Sequence, residues 1–390
     1  MDVTQKTLKV GIDVTSALTQ GGGIGRYTRE LIHALSHDTS FAEQFDITFF
    51  SARPPANTPV PNPLPTHPAI THKPAFVDEK WLYRLWYRLR FPLPVQTFTG
   101  RLNLFHSPDF VLPPLAGNIP SLLTVHDLSF LHYPKTFTPA LVNYLNNVVP
   151  WSVGRATHIL ADSIATQNDL VTLWHTPVEK ITVLYSGVNP RFSPVNDPAE
   201  IENIRQKYKL GDAPWILSVG TVQPRKNYQL LIQAFGKIAH RFPHNLVITG
   251  GKGWLFEDIL AEVQAQGLDG RVIFTGFVDD KDLPAIYSGA TLLAFPSLYE
   301  GFGLPILEAM ACGTPVINSD ASCLPEVAGD CTVQLAPESA DAWASALANL
   351  LEDQALREHL IQAGFEQIKQ FTWKRSAEQL LSIYMQMLKY

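Results

Sequence analysis

Residues 297–315 read Ser-Leu-Tyr-Glu-Gly-Phe-Gly-Leu-Pro-Ile-Leu-Glu-Ala-Met-Ala-Cys-Gly-Thr-Pro and run into the apolar strand Val316-Ile317-Asn318. Pro305 suits the first position of a helix, where its missing N–H costs nothing. Gly313 suits the helix end, and Pro315 stops any continuation. The pattern predicts a glycine-rich loop, a short helix and a buried strand. It brings Glu300 to a helix N-terminus and sets Glu308 about one turn inside the helix. Free N–H groups at a helix start favour anions, and carboxylates accept hydrogen bonds from hydroxyls. A loop offering both suits a sugar joined to phosphate.

The rest of the chain repeats this grammar. Short apolar runs alternate with helical patterns, which predicts an α/β fold with parallel sheets. In the first half the expected strands are 8–14, 46–50, 102–106, Ser121–Val125 and His158–Ala161. In the second half they are Trp215–Val219, Asn245–Thr249, 272–274, 291–294 and 315–318. Proline-rich residues 53–74 read as a loop, and the turn-rich stretch 177–194 reads as a linker. Three segments follow: a first Rossmann-like domain over 1–190, a second over 191–372, and a terminal helix over 373–390. A chain of 390 residues with 46% hydrophobic content can fill two such cores.

Several loops carry candidate chemistry. Gly21-Gly22-Gly23-Ile24-Gly25 lies between a strand and a helix. It misses the Gly-x-Gly-x-x-Gly/Ala dinucleotide fingerprint, because Arg26 or Thr28 occupies the last position. It still offers a backbone anion nest. His126 follows the strand Ser121–Val125, at the edge where open α/β sheets bind ligands, and Asp127 could orient it or cap the next segment. Pro224-Arg225-Lys226-Asn227 places two cations just before a helix, which suits a diphosphate. Gly250–Trp254 is not a P-loop; it could line the donor site or form a simple turn. Thr275-Gly276-Phe277-Val278 ends another strand, where it could touch a nucleotide base. Asp280-Lys281-Asp282 reads as a helix start and not as a metal motif, and no His/Cys metal cluster is apparent.

Glu300-x7-Glu308, within Tyr-Glu-Gly-Phe-Gly-Leu-Pro, resembles the signature of the retaining, nucleotide-sugar-dependent glycosyltransferases of family four. The likeness extends over essentially the whole chain, with Gly21–Gly25, His126-Asp127 and Gly220–Asn227 as further matches. It implies the GT-B fold, in which two Rossmann-like domains face a cleft, the first on the acceptor side and the second holding the nucleotide-sugar donor, and the terminal helix packs back on the first. It implies Arg225 and Lys226 on the diphosphate, Glu308 on ribose hydroxyls, and Glu300 with the backbone of Phe302, Gly303 and Leu304 on sugar hydroxyls. By the same likeness His126 stands near the reacting carbon, and Gly22, Gly23 and Val278 face the donor. This chain has Gly220-Thr221 where many members carry Gly-Arg. The expected reaction moves glucose or mannose from UDP-glucose or GDP-mannose to a glycan or lipid-linked hydroxyl. It retains anomeric configuration and needs no metal and no cofactor beyond the nucleotide sugar.

Composition narrows the alternatives. A net charge of −6 does not suggest a nucleic-acid partner. Residues 1–190 carry 14 Lys and Arg against 13 Asp and Glu, and the remainder 16 against 23, so acidity is concentrated in the second half. Cys312, Cys323 and Cys331, odd in number and without metal spacing, suit reduced thiols in the cytosol. The start has no apolar core of a signal peptide, and no apolar run approaches the length of a membrane span. Residues 79–91 are amphipathic: Trp81, Leu82, Leu85, Trp86 and Leu89 on one face, Lys80, Arg84 and Arg88 on another. They could lie in a membrane interface or pack on the first domain. Two other classes remain: a nicotinamide-dependent oxidoreductase and a non-catalytic sugar-nucleotide-binding protein.

Overall fold

The computed structural model describes residues 7–38, 41–54 and 64–389. The first six residues and the stretch 55–63 of the expected proline-rich loop lie outside the described residues. Two compact units emerge. The first takes the chain up to Leu128, Asn143–Gly187 and the stretch from Trp373 onward; the second takes Ser129–Val142 and Val188–Thr372.

Among the described residues the first unit holds seven strands: β1 (Leu8–Asp13), β2 (Phe45–Arg53), β3 (Ile70–Asp78), β4 (Leu104–Ser107), β5 (Ser121–Val125), β6 (His158–Ala161) and β7 (Ile181–Val183). All pair in parallel, in the order β3-β2-β1-β4-β5-β6-β7. The second unit holds β8 (Trp215–Val219), β9 (Asn245–Thr249), β10 (Val272–Gly276), β11 (Leu292–Phe295), β12 (Val316–Ser319) and β13 (Val333–Leu335). These are also parallel, in the order β10-β9-β8-β11-β12-β13.

The expected loop 53–74 is corrected in part, because β3 begins at Ile70 and contains Pro74. Proline cannot donate to a ladder, so it is confined to edge strands, and β3 is the sheet's edge. β7 and β13, three residues each, are edge strands that the apolar pattern did not reveal.

Central strands are apolar because helices cover both faces of a parallel sheet. Val10, Ile12, Leu104, Leu122 and Leu160 form one core with Trp373, Leu380 and Tyr384 of the helix Trp373–Leu388. That helix packs on the helix Gly23–Ser36, and Tyr384 Oη lies 2.7 Å from His106 Nδ1 beneath it. In the second unit Ile216, Leu246, Ile248, Leu292 and Ile317 meet Tyr228, Leu231, Phe235 and Trp343.

Leu380→Ala should therefore lower the stability of the first unit by about 2–5 kcal/mol, read as a shift of its denaturant midpoint. An unchanged midpoint would mean that the terminal helix contributes nothing to that core.

Candidate active site

Open parallel sheets bind ligands outside the C-terminal ends of their strands, where the strand order reverses and successive loops diverge. In the second unit that point lies between β8 and β11. The loop after β8 tightens into a single 3₁₀ turn, Pro224–Lys226. Asn227, left-handed at φ 57°, closes it, and its Nδ2 donates to Pro296 O and Pro337 O at 3.2 and 2.8 Å.

This turn aims both cations at Glu300. Arg225 Nη1 stands 2.9 Å from Glu300 Oε2, and Lys226 Nζ stands 2.6 Å from Oε1. Arg225 Nη1 also donates to Tyr299 O. Burial alone would raise the Glu300 pKa, but the charges of Arg225 and Lys226 outweigh it and hold the group down at about 2. Both oxygens of the buried Glu300 carboxylate are thus paired with cations.

The loop bearing Glu300 is braced from behind. Glu300 N donates to Ser322 Oγ at 2.9 Å, and Cys323 Sγ donates to the carbonyls of Glu300 and Phe302, each at 3.1 Å. Gly303, at φ 106°, starts the helix Leu304–Ala311, and a Cβ there would lie 2.8 Å from Leu324 Cδ2. Phe302 is buried, with its ring 5.7 Å from that of Phe371, so only its backbone remains for a ligand. Glu308 lies buried on the same helix and accepts from Tyr287 Oη at 2.8 Å. Val278 is buried beyond β10, the edge strand, while its neighbour Phe277 is exposed. Trp254, in the glycine turn after β9, donates from Nε1 to Thr136 O at 2.7 Å.

Asp282 precedes the helix Leu283–Ser288, but its side chain does not cap it. It accepts instead from Lys207 Nζ at 2.5 Å and Tyr208 Oη at 2.6 Å. Among the described residues no three His, Cys, Asp or Glu side chains are grouped to hold a metal ion.

In the first unit His126 follows β5 and is buried. Its Nδ1 lies 2.7 Å from Asp162 Oδ2 and its Nε2 3.3 Å from Pro108 O. Both nitrogens thus face acceptors, which favours the doubly protonated ring. Burial disfavours that charge, but Asp162, with Asp109 and Pro108 O, overcomes it and raises the pKa to about 9. Asp162, not Asp127, fills the orienting place. The edge of the His126 ring also meets Tyr27, with centroids 4.9 Å apart. Gly22 and Gly23 open the helix Gly23–Ser36, are exposed, and would meet nothing within 4 Å if given a Cβ. Gly25 is the sterically obligatory glycine, since a Cβ there would fall 2.0 Å from Gln20 O.

Residues 21–192 match the family described as Glycosyltransferase Family 4, and residues 200–367 match Glycosyl transferases group 1. O-antigen chain mannosyltransferase B of Escherichia coli is 30% identical over 376 residues, covering 93% of this chain and 95% of that one. The chain belongs to glycosyltransferase family 4. Its fold agrees with solved GT-B structures. Sucrose-phosphate synthase from Thermosynechococcus elongatus superimposes with a TM-score of 0.76 at 23% identity, covering 98% of this chain and 99% of that one. Anabaena HepE in complex with UDP and glucose gives 0.72 at 18% identity, covering 97% and 100%.

Four supporting residues of this glycosyltransferase escaped the motif reading: Asp162, Tyr287, Ser322 and Cys323. One had a usable signal. Val125 and Ala161 are register partners on β5 and β6, so the next residues, His126 and Asp162, emerge side by side. The other three act through tertiary packing that no spacing announces.

Glu300→Gln should remove the charge that both Arg225 and Lys226 pair with and cost about 3–5 kcal/mol. In the wild type the carboxylate's contribution is complete above pH 4.5 and is lost as the pH falls through about 2. Denaturant unfolding of the second unit at pH 7 reads the difference; a loss under about 1 kcal/mol would sink the role given to the cluster.

Proposed function

We propose that this glycosyltransferase transfers a hexose, with retention of anomeric configuration and without a metal ion, from a nucleotide-diphosphate sugar to a hydroxyl of a glycan. The observation that carries the reading is the cation pair, Arg225 and Lys226, held with Glu300 at the switch point of the second sheet. As the glycosidic bond to the diphosphate breaks, negative charge grows on the leaving group. Fixed cations then stabilise the transition state more than the ground state. Glu308, oriented by Tyr287, suits ribose hydroxyls, and Glu300 with the backbone of 302–304 suits the sugar's hydroxyls. In the first unit the His126 imidazolium is held by Asp162. The mannosyltransferase relative makes GDP-mannose the first donor to test and a growing polysaccharide the first acceptor class. The HepE complex, which holds UDP and glucose, makes UDP-glucose the second.

Donor binding and slow donor hydrolysis in the presence of EDTA test the scheme. Lys226→Ala should lower kcat/KM by about 10²–10³-fold, because it removes charge from the leaving diphosphate. Unchanged kinetics would refute its assignment, and an anomerically inverted product would refute retention.

A membrane contact through residues 80–91 is the second part of the proposal. The helix Glu79–Tyr83 runs into a π-helical turn, Arg84–Arg88. The wider turn breaks the single apolar face that ideal periodicity gave to Trp81, Leu82, Leu85, Trp86 and Leu89. Leu82 and Trp86 are buried, whereas Trp81, Leu89 and Phe91 are 60%, 71% and 52% exposed. Lys80, Arg84, Arg88 and Arg90 are exposed among them. Exposed aromatic and aliphatic groups beside cations fit an anionic lipid surface. No helix among the described residues is long and apolar enough to cross a membrane. The double substitution Trp81→Glu with Leu89→Glu should abolish co-sedimentation with phosphatidylglycerol vesicles while leaving the unfolding midpoint unchanged. Retained binding would remove this surface from the proposal.

A further inference from the structure

Ser129–Val142 belongs to the second unit, although the chain on either side of it belongs to the first. It folds on itself as a short helix, Ser129–His132, and a 3₁₀ turn, Pro134–Thr136. Pro134, with its fixed φ and no N–H to satisfy, suits the first position of that turn. Thr136 closes it, with N and Oγ1 donating to Tyr133 O at 2.9 and 2.7 Å. Two further contacts fasten the segment to the rest of the unit. The His132 ring stacks on that of Tyr299, with centroids 5.0 Å apart and planes 19° from parallel. Trp254 Nε1 donates to Thr136 O at 2.7 Å, and the Trp254 ring lies 5.7 Å from that of Phe137.

The two fastenings lie on different loops. Tyr299 follows β11 and Trp254 follows β9, and β8 runs between those strands in the sheet. Two strand spacings amount to about 10 Å. Thr136 is four positions beyond His132, a reach of at most about 14 Å when fully extended, and the 3₁₀ turn shortens it. The segment is therefore drawn across the end of β8 with little slack. The loop that leaves β8 there carries Arg225 and Lys226.

The His132 end also reaches the ion cluster through Tyr299. Tyr299 is buried, its carbonyl accepts from Arg225 Nη1, and the next residue is Glu300. Tyr133 meets the same ring, with centroids 6.3 Å apart. Rings packed on Tyr299 restrict the backbone that receives Arg225. Neither fastening belongs to the sheet ladder, so both can open while the sheet stays intact.

We propose that Ser129–Val142 is a strap that closes over the Arg225–Lys226 turn and retains a nucleotide diphosphate there, with His132 as the positioning residue that steadies Tyr299. The proposal rests on the reading of that turn as the diphosphate site.

The test uses the full chain. Lys135 is the only Lys or Arg between Ser129 and Val142, and it is exposed. Trypsin needs a locally opened backbone, so its cut after Lys135, read by mass spectrometry, reports release of the strap. GDP and UDP are titrated by calorimetry. The nucleotide that binds should slow the cut at least about tenfold at saturation, and its dissociation is timed by stopped-flow tryptophan fluorescence. His132→Ala should speed both the cut and the dissociation several-fold. His132→Phe, which keeps a flat ring, should restore both. Should His132→Ala fail to fold by near-UV circular dichroism, Trp254→Phe, which keeps a ring beside Phe137 but loses the Nε1 donor, should speed both instead. A bound nucleotide that leaves the cut unchanged, wild-type cutting and dissociation in the weakened variant, or a His132→Phe protein no better than His132→Ala would each overturn the proposal. Failure of both nucleotides to bind would instead overturn the transferase reading, so the two failures are distinguishable.

Discussion

Glu300 holds two buried cations from a different loop, and the order of the second unit's ligand-facing edge depends on that clasp. Arg225 and Lys226 come from the loop after β8, Glu300 from the loop after β11. The strands are neighbours, but the loops diverge in chain direction, and nothing in the sheet itself ties them. Burying ions carries a desolvation penalty that only close pairing and further hydrogen bonds offset. Here both carboxylate oxygens are engaged, and Asn227, Ser322 and Cys323 fix the backbone on either side. Any anion at this edge would have to share cations that Glu300 already holds.

The first unit shows how neighbours set the state of similar groups. His106 and His126 are both buried. His106 meets Tyr384 Oη and Thr124 Oγ1, both neutral, and burial together with the His126 charge holds its pKa at about 3. His126 meets a carboxylate, and its pKa rises to about 9 despite equal burial. At pH 7 one ring is neutral and one is charged. The neutral ring ties the terminal helix to β4; the charged ring faces the ligand-binding edge of the sheet. A compensating charge, not depth, separates the structural histidine from the functional candidate.

Much of this was legible in the sequence, and what was not has a physical pattern. The central strands announced themselves because parallel sheets covered on both faces need continuous apolar runs. The strands missed, β3, β7 and β13, are all edges, where one side needs less apolar cover and a proline such as Pro74 is tolerated. The loop residues Arg225, Lys226, Glu300 and Glu308 stood out by local spacing against Gly303 and Pro305. Their supports did not, because Tyr287 and Ser322 reach them only through the folded packing. Asp162 is the intermediate case, legible only after β5 and β6 are put in register.

The segment after Asp78 shows why a periodic pattern can be read correctly and still assign the wrong faces. An ideal helix would have placed all five apolar residues together, forcing a choice between core and membrane. A single π-helical turn removes the choice. It sends Leu82 and Trp86 into the first unit's core and leaves Trp81 and Leu89 outside. Tyr83 and Tyr87, between them, line an acidic cavity. One short segment therefore serves a packed interior, the wall of a cavity and an exposed apolar rim. π turns carry a geometric cost and recur at functional sites. Here the division of one stripe among three environments supplies the reason for keeping it.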